Sequence, residues 1–125
     1  MQVVPDRVSG KKTIMVVDDS AVQRRFFEVL LGLDDYDIVC FNHAAAVCNY
    51  LSECPVDLVI LDANTSQDRF EMCRTIKSKY QLPVMMVGAV TEHQARQNVE
   101  ICADIFLNKP LMGKGLRQVV KRYIR

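Results

Sequence analysis

The chain reads as an α/β protein: a parallel sheet with helices packed on both of its faces. Two observations lead there. Short apolar runs without alternation, such as Leu58 to Leu61, are what strands covered on both faces require. Between these runs lie stretches with helical spacing of apolar residues, and strands alternating with helices imply right-handed crossovers and a layered parallel sheet. With 125 residues the chain has the size of one compact domain with a real core, and no second domain is expected.

Met1 to Lys12 contains Pro5 and Gly10 and shows no sustained period, so it is read as an arm outside the domain, whose loss should change little. Thr13 to Val17 is a β-branched, apolar first strand that stops in acid at Asp18 and Asp19. Ser20 is a good N-cap for the helix that follows. In it Val22, Phe26, Val29, Leu30 and Leu33 recur at i, i+4, i+7, i+8 and i+11 and are expected to face the core, with Arg24, Arg25 and Glu28 outside. Asp37 to Phe41 is the second strand. Asn42 to Cys54 reads as a helix with Ala44, Val47 and Leu51 inward, closed by Pro55.

The third strand, in the run Val56 to Asp62, ends abruptly in a carboxylate. Asp68 can cap the next helix, whose apolar stripe is Phe70, Met72, Cys73 and Ile76. Pro83 to Val87 is the fourth strand, followed by Gly88 and Ala89. Thr91 and Gln94 have capping-box spacing for a helix running to about Ile101. Ile105 to Asn108 is the fifth strand, ending at Lys109 and Pro110, and the last helix turns Leu116, Val119, Val120 and Tyr123 inward.

Composition excludes several function classes. Apolar residues are 50% and charged ones 25%, and 16 basic against 15 acidic residues leave a net charge of +1, which gives no reason to expect nucleic-acid binding. Basic residues do concentrate at the end, at Lys114, Arg117, Lys121, Arg122 and Arg125, where a solvated helix face is the plainer explanation and a partner surface the second. No apolar run approaches the ~18 to 20 residues of a membrane span. Cys40, Cys48, Cys54, Cys73 and Cys102 form no C-x-x-C pair, and with only His43 and His93 beside them they make no zinc pattern. They are expected to be small buried apolar residues in a reducing, cytoplasmic compartment.

In a parallel sheet the residues just past each strand share one rim, which is where open α/β sheets bind ligands. That rim would gather Asp18, Asp19, Asp62, Gly88, Ala89 and Lys109. Any one acid alone is adequately explained as a helix cap, and Lys109 as a surface lysine. Together, several carboxylates in one place repel unless a cation intervenes, and Mg²⁺ takes oxygen ligands while leaving positions for phosphate oxygens. A lysine adds a point charge suited to a phosphoryl group, so the set points to phosphoryl transfer, with Asp62 as a carboxylate nucleophile.

These residues resemble the receiver domains of two-component response regulators. The resemblance spans Thr13 to Arg125 and rests on Val-Val-Asp-Asp-Ser at 16–20, Asp-Leu-Val-Ile-Leu-Asp at 57–62, Leu-Pro-Val-Met-Met-Val at 82–87 and Ala-Asp-Ile-Phe-Leu-Asn-Lys-Pro at 103–110. It implies a flavodoxin-like, CheY-like five-stranded parallel sheet of order 2-1-3-4-5 with helices on both faces. It also implies Asp62 as phosphoacceptor, Mg²⁺ held by Asp19, Asp62 and the carbonyl of Asn64 with Asp18 acting through water, Lys109 on the phosphoryl group, and a cis peptide before Pro110. The implied partner is a sensor histidine kinase or histidine phosphotransfer protein. A homodimer through the helix expected at 91–101, the fifth strand and the last helix is a further expectation. The chain is read as a phosphoryl acceptor able to lose the group again, not as a dedicated enzyme, with no direct nucleic-acid or membrane contact.

Two departures from the family pattern stand out. Gly88 occupies the place of the usual Thr or Ser, removing the hydroxyl that draws the loop inward, although Phe106 matches the aromatic switch position. The loop Ala-Asn-Thr-Ser-Gln-Asp-Arg-Phe-Glu at 63–71 lacks the common proline and glycine, has Arg69 in the glycine's place, and is one residue short. A receiver fold that acts through protein contacts without phosphorylation is therefore the alternative. A haloacid-dehalogenase-type phosphatase would want a second Asp where Asn64 stands, and in a flavodoxin Asp18 and Asp19 would repel the FMN phosphate.

Overall fold

A computed structural model of the chain describes residues 10–63, 69–88, 103–108 and 113–124. The elements are β1 (Thr13–Val17), α1 (Ala21–Gly32), β2 (Asp37–Phe41), α2 (Ala44–Glu53), β3 (Leu58–Asp62), α3 (Arg69–Tyr80), β4 (Val84–Gly88), β5 (Ile105–Asn108) and α4 (Gly113–Tyr123). The five strands form one parallel sheet in the order β2-β1-β3-β4-β5. The helix expected at 91–101, the caps at Asp68 and Thr91, Cys102 and the peptide before Pro110 lie outside the described residues.

Side chains alternate across a strand, so each strand feeds two cores. On one face Met15, Val17, Val59, Leu61, Val84 and Met86 meet Val47 and Leu51 of α2 and Met72, Cys73 and Ile76 of α3. On the other, Ile14, Val16, Leu58, Ile60, Met85 and Val87 meet Phe27 and Leu31 of α1 and Leu116 and Val120 of α4. All five residues of β1, β3 and β4 are buried, which is why these strands are apolar without alternation. β4 lies one residue later than the sequence suggests.

Helix ends follow local chemistry. Ser20 caps α1, its Oγ accepting from Gln23 N at 3.2 Å. His43 caps α2, and Cys54, extended at φ −121° before Pro55, closes it. Beyond α3, Gln81 adopts φ +56° and donates its N–H to Ile76 O, a left-handed residue where glycine is commoner.

Two expectations need correction. In α1 the buried residues are Phe27 and Leu31, not the predicted stripe: Phe26 and Leu30 are half-buried, while Val22, Val29 and Leu33 are exposed. The helix carries two apolar stripes, because Phe26-Phe27 and Leu30-Leu31 are adjacent pairs, and the narrower one packs on the sheet. The cysteines are not uniformly buried either: Cys54 and Cys73 are, Cys40 is half-buried and Cys48 is exposed, and all four are free thiols. Burial pushes the Cys40 thiol up to about 11.

The edge from which the strands start is fastened by acids. Asp57 N donates to Thr13 O at 2.8 Å while Asp57 Oδ2 accepts Thr13 N at 2.7 Å. Asp104 repeats the device on β4, its N donating to Val84 O at 2.9 Å and its Oδ2 accepting Val84 N at 2.7 Å and Lys77 Nζ at 2.8 Å.

Candidate functional site

At the opposite edge the register brings two carboxylates together. Val17 of β1 pairs with Leu61 of β3, so Asp18 and Asp62 occupy the next positions of neighbouring strands, which run ~4.8 Å apart. Asp18 N still donates to Phe41 O at 3.0 Å, and Ala63 N to Val87 O at 2.8 Å, so the ladder carries both acids in place. Asp62 stays in phase with Leu58 and Ile60, and Asp18 with Ile14 and Val16, so alternation puts both on the α1–α4 face. Asp18 is fully buried and Asp62 is 5% exposed.

The loop around Asp18 is tightly bonded. Its Oδ1 accepts the Ser20 N–H at 2.9 Å, and its carbonyl accepts Arg24 NH1 at 2.7 Å. Arg24 thus reaches back from the first turn of α1 to hold the turn that presents the acids, a role its place among the polar residues of the helix did not suggest. The signal was its position four residues beyond the Ser20 cap, one turn along on the same face.

Of the other predicted residues, Asp19 is exposed at the rim. Gly88 is buried at the end of β4, in register with Asn108, so the position before Lys109 lies beside it. Phe106 pairs with Met86 and packs half-buried on the α2–α3 core. Asn64, Ala89 and Lys109 lie outside the described residues.

Mg²⁺ is the ion that the resemblance brings to this edge. Its donors here would be hard carboxylate oxygens, and Asp18 and Asp62 end neighbouring strands on the same face of the sheet. Among the described residues no group of three His, Cys, Asp or Glu side chains stands close enough to hold a metal ion. Those donors fit an ion that takes one or two carboxylates and keeps waters, as Mg²⁺ does, and not a closed protein cage.

Fold and site together define a doubly wound, flavodoxin-like module with an acid pair at the carboxyl edge of its central strands. Residues 14–121 match the response regulator receiver domain, and the chain belongs to that family. A response regulator from Thermotoga maritima superposes with a TM-score of 0.83 at 22% identity, over 91% of this chain and 98% of that one. The receiver domain of a signal transduction histidine kinase from Syntrophus aciditrophicus gives 0.80 at 26% identity, over 90% and 89%. Chemotaxis protein CheY4 of Vibrio cholerae gives 0.83 at 20% identity, over 92% and 100%. Among the described residues no helix is long and apolar enough to cross a membrane.

Proposed function

We propose that this receiver domain accepts a phosphoryl group on Asp62 from a phosphohistidine of a histidine kinase or phosphotransfer protein, as a cytoplasmic signalling switch. The observation that supports it is Asp62 itself, a nearly buried carboxylate at the end of the central strand with Asp18 one strand away. A carboxylate oxygen of Asp62 attacks phosphorus in line, forming the acyl-phosphate O–P bond as the P–N bond breaks and the imidazole leaves with the electron pair. The fold's contribution is positioning: the ladder fixes Asp62, and Arg24 with the Ser20 N–H fixes the turn of Asp18.

Asp18, Asp19, Asp62 and the carbonyl of Asn64 are the groups that would hold or orient Mg²⁺, which when bound offsets the charge of the acids and of the phosphoryl oxygens. Lys109 would pair with the phosphoryl group. The module is a phosphoryl acceptor that can hydrolyse its own acyl phosphate, not a dedicated enzyme. The test is labelling with a small-molecule phosphodonor, read by intact mass, in the chain and in Asp62→Asn. Labelling of the parent alone is expected, and equal labelling of both excludes Asp62.

A second reading has one observation in its favour. Gly88, Ala89 and Phe106 stand at the switch positions, and the buried Gly88 has no hydroxyl to engage a phosphoryl oxygen. A receiver of this kind would act through protein contacts, including a homodimer across β5 and the last helix, whether phosphorylated or not. A magnesium titration followed by backbone NMR separates the two: a response at the ends of β1 and β3 in the millimolar range supports the first, and none supports the second.

A further inference from the structure

The sheet has two margins, β2 and β5, and they are guarded unequally. A strand at a margin offers a row of backbone N–H and C=O groups to any other strand, and proteins blunt it with shortness, lysine, proline or a bulge. β5 has four residues and runs on in sequence into Lys109 and Pro110. β2 has none of these devices. Its five residues, Asp-Ile-Val-Cys-Phe, keep unbroken register with β1, all are half-buried, and the one charge stands at the start.

The bonds that β2 already makes show which groups remain. Asp37 donates its N–H to Lys12 O, and the Phe41 carbonyl accepts from Asp18 N, so Asp37, Val39 and Phe41 turn their backbone toward β1. Ile38 and Cys40 therefore turn N–H and C=O outward, where no strand stands among the described residues.

We propose that β2 is the contact surface of a homodimer, pairing antiparallel with β2 of a second copy about a two-fold axis at Val39. In this register Ile38 lies opposite Cys40 of the other copy and exchanges both backbone bonds with it, twice by symmetry. Val39 meets its own counterpart in a close, non-hydrogen-bonded pair on the α2–α3 face, while Ile38 and Cys40 meet on the α1–α4 face. Asp37 falls opposite Phe41. A parallel arrangement would set Asp37 against Asp37, and its slanted bonds lack the two-fold relation. Charge and hydrogen bonding thus select the same symmetric pair. Each copy covers the unguarded margin of the other and leaves β5 outside, so assembly stops at two. This surface is distinct from the β5 and last-helix face of the second reading above, and it needs no phosphoryl group.

Sedimentation of the full chain over a range of concentrations, with amide hydrogen exchange at both extremes, tests this. A dimer is expected at high concentration, with exchange at Ile38 and Cys40 slowed by about tenfold or more and β5 unchanged. Ile38→Pro removes an outward N–H, so the fold should stand while dimerisation weakens by about tenfold or more. Val39→Cys should give an interchain disulfide under mild oxidation beyond any formed by the parent's own thiols, since only a residue on the axis meets itself. A chain that stays monomeric at millimolar concentration, Ile38 and Cys40 amides already protected in the dilute monomer, protection mapping to β5, or growth past the dimer would each overturn the assignment.

Discussion

Arg117 grips Asp34 with two bonds, Nε to Oδ2 at 2.8 Å and NH2 to Oδ1 at 2.6 Å, joining α4 to the turn between α1 and β2 across 83 residues of sequence. The hydrogen bonds from the guanidinium hold the Asp34 carboxyl down at about 2, below the ordinary carboxylate value of 3.8. A carboxylate with a depressed folded-state pKa stabilises the protein fully above its unfolded value, and the contribution is lost as pH falls through the folded one. Denaturant midpoints of the parent and Asp34→Asn should therefore differ most above pH ~4 and converge toward pH ~2. A constant difference across that range would show that the clamp carries no charge-dependent stability.

The correction to α1 makes a sharp pair of substitutions. Leu31 is fully buried and Leu33 is 66% exposed, two residues apart on one helix. Leu31→Ala should cost ~2 to 5 kcal/mol in urea unfolding, and Leu33→Ala should stay within about 0.5 kcal/mol. Similar losses at both would restore the face expected from sequence.

Removing the Asp57 carboxylate should leave the buried Thr13 N–H without its acceptor. Asp57→Ala is expected to lower stability by about 1 to 3 kcal/mol, with amide hydrogen exchange accelerated first at the start of β1. Asp104→Ala should do the same at Val84, and a uniform acceleration across the sheet in either variant would argue against a local fastening.

Arg24 is a positioning residue in this account. Arg24→Ala breaks a charge-assisted bond to the Asp18 carbonyl and is expected to cost about 1.5 to 3 kcal/mol. Phosphodonor labelling of Asp62 should slow, and Arg24→Lys, keeping the charge but losing the guanidinium geometry, should recover only part of it. Unchanged labelling with full loss of stability would confine Arg24 to a structural role.

Much of this was legible from residues alone, for identifiable reasons. β1, β3 and β4 announce themselves because strands buried on both faces cannot alternate, and a parallel sheet sends Asp18 and Asp62 to one edge whatever the details of packing. Which stripe of α1 meets the sheet was not legible. Phe26-Phe27 and Leu30-Leu31 satisfy helical spacing in two phases, and only the fit to Ile14, Val16, Leu58 and Ile60 chooses between them. The three acids of the rim also looked alike in sequence, whereas Asp18 and Asp62 are buried and Asp19 is exposed. Asp57 and Asp104 passed unremarked because an Asp before a strand differs from one after it only once neighbouring strands are in register.

The reciprocal fastenings of Asp57 and Asp104 have a mechanical consequence. Tied at the ends where they begin, β1 with β3 and β4 with β5 behave like leaves bound at the spine. The bonds of Asp18 N to Phe41 O and of Ala63 N to Val87 O close the opposite margin, so the backbone that presents Asp62 is anchored from both directions.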